Sequence, residues 1–380
     1  MNFDFETVID RRGGDSQKWN KYAGRDVLPL WVADMDFAAP PAIVEALQRR
    51  VAHRVFGYAK PWAGLEEAFI DYLRRRYDWR VLPEWLVWLP GLVVGLNAAC
   101  RAVDGDVLTA TPVYPPFLFA PLLSGRKLAT VPLVQRETGW EWDFARMEAS
   151  VTEETRLLLL CHPHNPVGRA WRVDELARLA DFCKRHDLIV CSDEIHCDLV
   201  LDAGRPHVPL SMLDTNVARR AITLMAPSKT YNVPGLACSL AIIPNEALRS
   251  RFSMVMRGIV PDVNALGLAA AGAAFSTDCD AWREELLGVL RENRDLVEAS
   301  VARLDGLSMT HVEATYLAWI DARGLGVDHP ARLFEEAGVG LSDGADFGTP
   351  GWLRLNFACP RKTLESALRR MASACAGRAP

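Results

Sequence analysis

Residues 221–245 read AITLMAPSKTYNVPGLACSLAIIPN, and Lys229 is the only charged residue among them. Across the 380-residue chain Asp, Glu, Lys and Arg fill 24% of positions, so a window of this length with one charge stands out. AITLMA on the left and CSLAIIP on the right are apolar throughout, which suits strands covered on both faces. Lys229 therefore belongs to a loop at the mouth of a sheet, between Ser228 and Thr230. A lysine held among apolar neighbours binds its proton less tightly, and a neutral amine is a nucleophile and a Schiff-base former. The competing reading is a solvated loop lysine, the usual fate of the residue type. Taken alone, this window favours the solvated lysine.

The alternation of apolar runs and helical patterns extends on both sides. Strands are expected at 107–111, 127–132, 156–161, 188–192, 220–225 and 238–243. The helix at 173–186 is the clearest of the intervening segments. Val173, Leu176, Ala180 and Cys183 share a face, Asp174 and Glu175 occupy its first turn, and Lys184 and Arg185 its last. Upstream, helices are expected from Pro41 through Arg50 and over 64–76, and residues 86–103 read as strand, Pro90-Gly91 turn and buried helix. The class is α/β, a mostly parallel sheet with helices on both faces, whose ligands bind at the carboxyl ends of the strands. After about residue 275 the character changes to one long helix, 281–304, and short strands in YLAWID and WLRLNF. This predicts a large domain over 41–280 and a smaller α+β domain made of 1–40 and 281–380. The tail ASACAGRAP is expected to fray.

Composition excludes several classes of function. A net charge of −5 and a pI of 6.0 give no general attraction to nucleic acid or anionic membrane. No apolar run reaches the ~18 residues of a membrane span. The opening MNFDFETVIDRR mixes acids with arginines and lacks the apolar core of a signal peptide. The nine cysteines form no C-x-x-C pair, as expected of reduced, buried thiols in a cytoplasmic protein.

Three polar groups fall where strands end. Asn165 lies in CHPHNPVG after the strand at 156–161, Asp193 and Glu194 in SDEIH after 188–192, and Lys229 after 220–225. If those strands are neighbours, an amide, an acid and an isolated lysine converge on one rim. Pyridoxal phosphate needs that set: a lysine for its aldehyde, a carboxylate to keep the pyridine nitrogen protonated, an amide for the phenolic oxygen. Individually each has a plainer reading, since Asn-Pro before Gly is a good turn and Asp-Glu after a strand is an ordinary solvated turn or helix start.

HNPVG, SDEIH, SKTYNVPGL and GWLRLNF, in that order, resemble the fold-type I, PLP-dependent aminotransferase superfamily (class I/II). FETVIDRRGGDSQKWNKY, LPLWVADMDF, VFGYAKPW and ATYLAWID narrow the resemblance to its MalY/PatB-like branch, the cystathionine β-lyases and related cysteine C–S lyases. The resemblance implies Lys229 as the Schiff-base lysine, Asp193 as the pyridinium partner and Asn165 as the ligand of the ring oxygen. It implies Tyr114 stacked on the ring, Leu92 and Val93 offering backbone N–H groups to the phosphate, and Ser228 and His196 beside the cofactor. It also implies Arg354 clamping the substrate carboxylate, with Ala33 presenting a backbone N–H to the same group. Tyr58 would reach the neighbouring subunit's phosphate, which implies a homodimer with shared sites. WLRLNF alternates, so Arg354 and Asn356 face away from Leu353, Leu355 and Phe357, and the wet face of an edge strand competes with the clamp.

The chain departs from the superfamily pattern at Ala237, Ala226 and His196, where a cationic residue, a serine and a tyrosine are common. The implied reaction is α,β-elimination on cystathionine or a related cysteine thioether, giving thiol, pyruvate and ammonia. An aminotransferase using the same residues is the nearest alternative, and a regulatory protein on this scaffold a further one. Cys161, His162, His164, Cys191, His196 and Cys197 fit no zinc spacing, so no metal is expected.

Overall fold

The computed structural model describes residues 3–137 and 139–376. Its central sheet contains β1 (Leu86–Leu89), β2 (Asp106–Thr111), β3 (Leu128–Pro132), β4 (Thr155–Cys161), β5 (Ile189–Asp193), β6 (Ala221–Met225) and β7 (Ser239–Ile242). Their spatial order is β1-β7-β6-β5-β4-β2-β3. The pairs from β6 through β3 are parallel, whereas β7 runs antiparallel to both β6 and β1. The connection from β6 to β7 explains that exception. Parallel neighbours need a crossover, usually a helix, and residues 226–238 carry only the short 3₁₀ turn Pro234–Leu236.

Side chains along β4 separate by parity. Leu157 and Leu159 join the core of the helix Leu92–Ala102, through Leu96 and Ala99. Leu158 and Leu160 join that of the helix Val173–Arg185, through Leu176, Leu179 and Phe182. This two-residue alternation, apolar on both sides, is why the strand reads as an unbroken hydrophobic run. Register then fixes the rim, because Cys161 pairs with Asp193 and Asp193 with Leu224. β4, β5 and β6 therefore finish at one level.

The C-terminal region forms a second, antiparallel sheet of β8 (Ser308–Met309), β9 (Leu317–Asp321), β10 (Ser342–Asp343) and β11 (Trp352–Asn356), ordered β8-β9-β11-β10. The helix Asp280–Val301 packs on it, burying Trp282, Leu286, Leu290, Val297 and Val301. It stops short of the expected Leu304 because the chain turns at Gly306, whose φ of +84° suits glycine. From the N-terminal segment, Leu28–Pro29 pairs with Val339–Gly340, and Leu30, Met35 and Phe37 enter the core that holds Leu353 and Leu355. The last helix, Arg361–Ala376, corrects the expected fraying over 372–376, since Leu364, Leu368 and Met371 anchor it to that core. Residues 377–380 lie outside the described residues. Among those described, no helix is long and apolar enough to cross a membrane.

Candidate active site

A cavity of about 220 Å³ opens at the rim where β4, β5 and β6 end. Lys229, Asp193, Asn165, Tyr114, Leu92, Val93, Ser228, His196, Arg354 and Ala33 all line it. The alternative readings of the individual motifs give way here. Asp193 and Glu194 are both buried, not a solvated turn, and Lys229 is partly buried.

Lys229 follows β6, and its Nζ donates to the carbonyl oxygen of Ala33. Burial lowers its pKa to about 8, and the nearby Arg354 guanidinium pushes the same way. Asp193, the last residue of β5, moves in the opposite direction. Burial raises its carboxyl to about 7, against the pull of the Ile195 N–H at 3.1 Å and of Lys229. Both shifts report a site poor in water, where a charge needs a partner to persist.

Arg354 sits on β11, which lies between β9 and β10. It is buried, so the expected rival of a wet edge strand is wrong. The reason is local. The segment 31–34 covers the face that alternation assigned to Arg354 and Asn356: Arg354 Nη2 donates to the Trp31 carbonyl at 2.8 Å, and Asn356 Nδ2 to those of Val32 and Asp34 at 2.7 Å. Arg354 also donates to Asn165 Oδ1 at 3.0 Å and to Ser342 Oγ at 3.4 Å, and it lies 4.7 Å over the Phe347 ring. These hydrogen-bond partners are all neutral oxygens, and its Nε has none. Burial lowers its pKa to about 10, the signature of a buried cation short of an anion.

His196 is buried beside Lys229 and Arg354, with Nδ1 unpartnered and its ring edge-on to Tyr316 at 5.9 Å. Burial and the two neighbouring cations keep the imidazole neutral. At the other end of the cavity the helix Leu92–Ala102 begins with no side-chain cap. Gly91 precedes it at φ +143° and donates its N–H to Ser239 Oγ at 3.1 Å. The first-turn N–H groups of Leu92 and Val93 therefore face a space where an anion would be favoured. Ala237 lines the same space, and Ala226 is buried.

Two expected residues behave differently. Ala33 was assigned a role through its N–H, but the group seen engaged is its carbonyl, which accepts from both Lys229 and Tyr316 Oη. Tyr58 is fully exposed and lines a separate groove with Phe56 and Pro261. The sulfur and imidazole groups set aside as a metal site have separate partners. Cys161 Sγ takes the Asn165 N–H at 3.3 Å, His164 Nε2 meets the Pro112 carbonyl at 2.8 Å, and His162 stacks on His207 at 4.3 Å. Sequence reasoning missed Tyr316, Ser342, Phe347 and the Trp31 carbonyl. Tyr316 carried a signal inside ATYLAWID and Trp31 one inside LPLWVADMDF.

The sheet order, the lysine after β6 and the carboxylate ending β5 define a class. The chain belongs to the aminotransferase class I and II family, whose sequence model matches residues 25–371. Among its relatives is the cystathionine beta-lyase PatB of Bacillus subtilis (strain 168), 36% identical, with 98% of this chain and 100% of that protein covered. The crystal structure of OvoB superimposes with a TM-score of 0.96 at 49% identity, covering 98% of this chain and 99% of that one. Cystalysin from Treponema denticola, which contains a pyridoxal 5'-phosphate cofactor, gives a TM-score of 0.94 at 32% identity, covering 99% and 100%.

Proposed function

We propose that this protein is a PLP-dependent carbon–sulfur β-lyase, which splits cystathionine or a related cysteine thioether into thiol, pyruvate and ammonia. The observation that carries the reading is the gathering of Lys229, Asp193, Asn165 and Arg354 around one cavity. The fit to pyridoxal phosphate rests on three features of that cavity: an amine of lowered pKa, a buried carboxyl with one hydrogen-bond donor, and an uncapped helix start for a phosphate. Bound there, pyridoxal phosphate supplies the electron sink that makes a Cα proton removable.

The chain's own groups then divide the work. Asp193 would hold the proton of the ring nitrogen, Asn165 the ring oxygen, and Tyr114 the ring face. Leu92 and Val93 would bind phosphate through N–H groups, with Ser228 and His196 beside the ring. Ala226 and Ala237 provide no side-chain donor, which leaves more of that task to the backbone. Arg354 would pair with the substrate carboxylate and aim Cα at Lys229, whose neutral amine takes the proton. Ala33 would support that geometry from the strap 31–37.

PatB, named as a cystathionine beta-lyase, supports the substrate class. We further propose the division into 41–280 and 1–40 with 281–380, a homodimer in which Tyr58 serves the partner's site, and a cytoplasmic location. The exposed Phe56, Tyr58, Trp62 and Ile259 suit the dimer, and nine unpaired cysteines suit the compartment. The test is spectroscopic: purified protein should show the visible absorbance of bound pyridoxal phosphate, and Lys229→Ala should lack it. Protein that takes up no cofactor would overturn the reading.

A further inference from the structure

The phosphate end of the cavity lacks a cation of its own. Among the described residues, the cations lining the cavity are Lys229 and Arg354, both needed at the reacting end, and Ala237 brings no side-chain donor. An anion at the other end therefore depends on backbone N–H groups. Such groups serve well only when their turn is held in one orientation beforehand.

The turn in question is Pro90-Gly91, between β1 and the helix Leu92–Ala102. Gly91 holds φ +143° and ψ 151°, a backbone conformation that residues with a Cβ rarely adopt. The helix has no side-chain cap, so nothing within its own first turn fastens it. The fastening comes from far along the chain. Ser239 opens β7 and pairs with Leu89, the last residue of β1. Its Oγ accepts the Gly91 N–H at 3.1 Å and donates to the Leu89 carbonyl oxygen at 3.1 Å. One fully buried hydroxyl thus bridges the residues on either side of Pro90.

We infer that Ser239 is a positioning residue for the cofactor phosphate: by taking the Gly91 N–H, it fixes the turn that aims the N–H groups of Leu92 and Val93 into the cavity. The inference rests on the pyridoxal phosphate reading and deepens it. Ser239 is not among the residues lining the cavity, so it acts through the turn and not by touching the phosphate. Its effect is accordingly confined to one end. Lys229, Asp193, Asn165 and Tyr114 would hold pyridoxal and its phosphate ester alike, so loss of the bridge weakens the ester and spares the alcohol.

The test titrates cofactor-free protein with pyridoxal phosphate and with pyridoxal, read by the visible absorbance each acquires on binding. Wild type should favour the phosphate ester by about 10²-fold or more, the scale of two hydrogen bonds to a charged group. Ser239→Ala should cut that preference by about tenfold, the scale of one hydrogen bond, with pyridoxal affinity unchanged within about twofold. Gly91→Ala disturbs the same turn from the other side. A Cβ there meets nothing within 4 Å, so the change strains the backbone without a clash and should cut the preference likewise. Inorganic phosphate should raise the melting temperature of cofactor-free wild type more than that of either variant. Equal losses for both compounds, or an unchanged preference in both variants, overturn the inference and leave the cofactor reading standing. Wild type that takes up neither compound sinks the cofactor reading itself.

Discussion

Arg354 Nη1 donates to Asn165 Oδ1 at 3.0 Å, across 189 residues of sequence. The bond joins β11 of the antiparallel sheet to the loop after β4 of the parallel one, at the edge of the cavity that both line. It also shows what Arg354 lacks. A guanidinium with only neutral oxygens for partners is prepared for a carboxylate, and its planar fork can take one in two parallel hydrogen bonds.

Replacing Arg354 should therefore injure substrate binding more than folding. Arg354→Met is expected to lower kcat/KM by roughly 10²- to 10³-fold, in the range for losing one partner of a buried charge pair. Arg354→Lys should recover little, because an ammonium lacks the fork. Steady-state kinetics beside a melting curve separate the two effects.

The lowered pKa of Lys229 has a consequence for loading. In cofactor-free protein the neutral amine is the nucleophile, so the rate of pyridoxal phosphate capture should rise with pH and level off above about 8. Below that value the slope should approach about tenfold per pH unit, since each unit removes that fraction of neutral amine. Stopped-flow absorbance measures it directly. A profile still climbing at pH 10 would mean an ordinary lysine.

Asp193 should oppose stability when no cofactor is bound. Its folded pKa of about 7 lies above the ordinary 3.8. The folded state thus holds a proton that the unfolded state releases. That contribution is complete below pH 3.8 and lost as pH rises through 7. At pH 8, Asp193→Asn should stabilise the cofactor-free protein by up to about 4 kcal/mol while abolishing activity. Urea unfolding at pH 5 and pH 8 checks both sign and window.

Shared sites allow complementation. If Tyr58 serves the partner's site, mixing inactive Lys229→Ala protein with weakly active Tyr58→Phe protein under exchange conditions should restore activity. In the hybrid, one site carries both changes and the other neither. Activity no greater than the Tyr58→Phe protein alone would place Tyr58 outside the site.

Much of this was legible in the sequence because apolar strands and their terminal polar residues are local signals. AITLMA, RLLLLC and LIVCS announced buried neighbours, and Lys229, Asn165 and Asp193 followed from where those runs stop. The direction of β7 was not legible, since an apolar run is the same read either way and only the short connection decides it. Nor was the burial of Arg354, because alternation in WLRLNF looks alike on a wet edge and under a strap. The strap itself is held by long-range bonds: Lys229 and Tyr316 to Ala33, Asn356 to Val32 and Asp34, Asn232 to Met35 and Phe37. No local pattern encodes those.

The most direct test of the lyase is incubation of purified, cofactor-loaded protein with L-cystathionine and no keto acid. Pyruvate and free thiol should accumulate together for many turnovers, and Lys229→Ala should form neither. Product that stops at one equivalent per site until a keto acid is added would contradict the account and identify an aminotransferase.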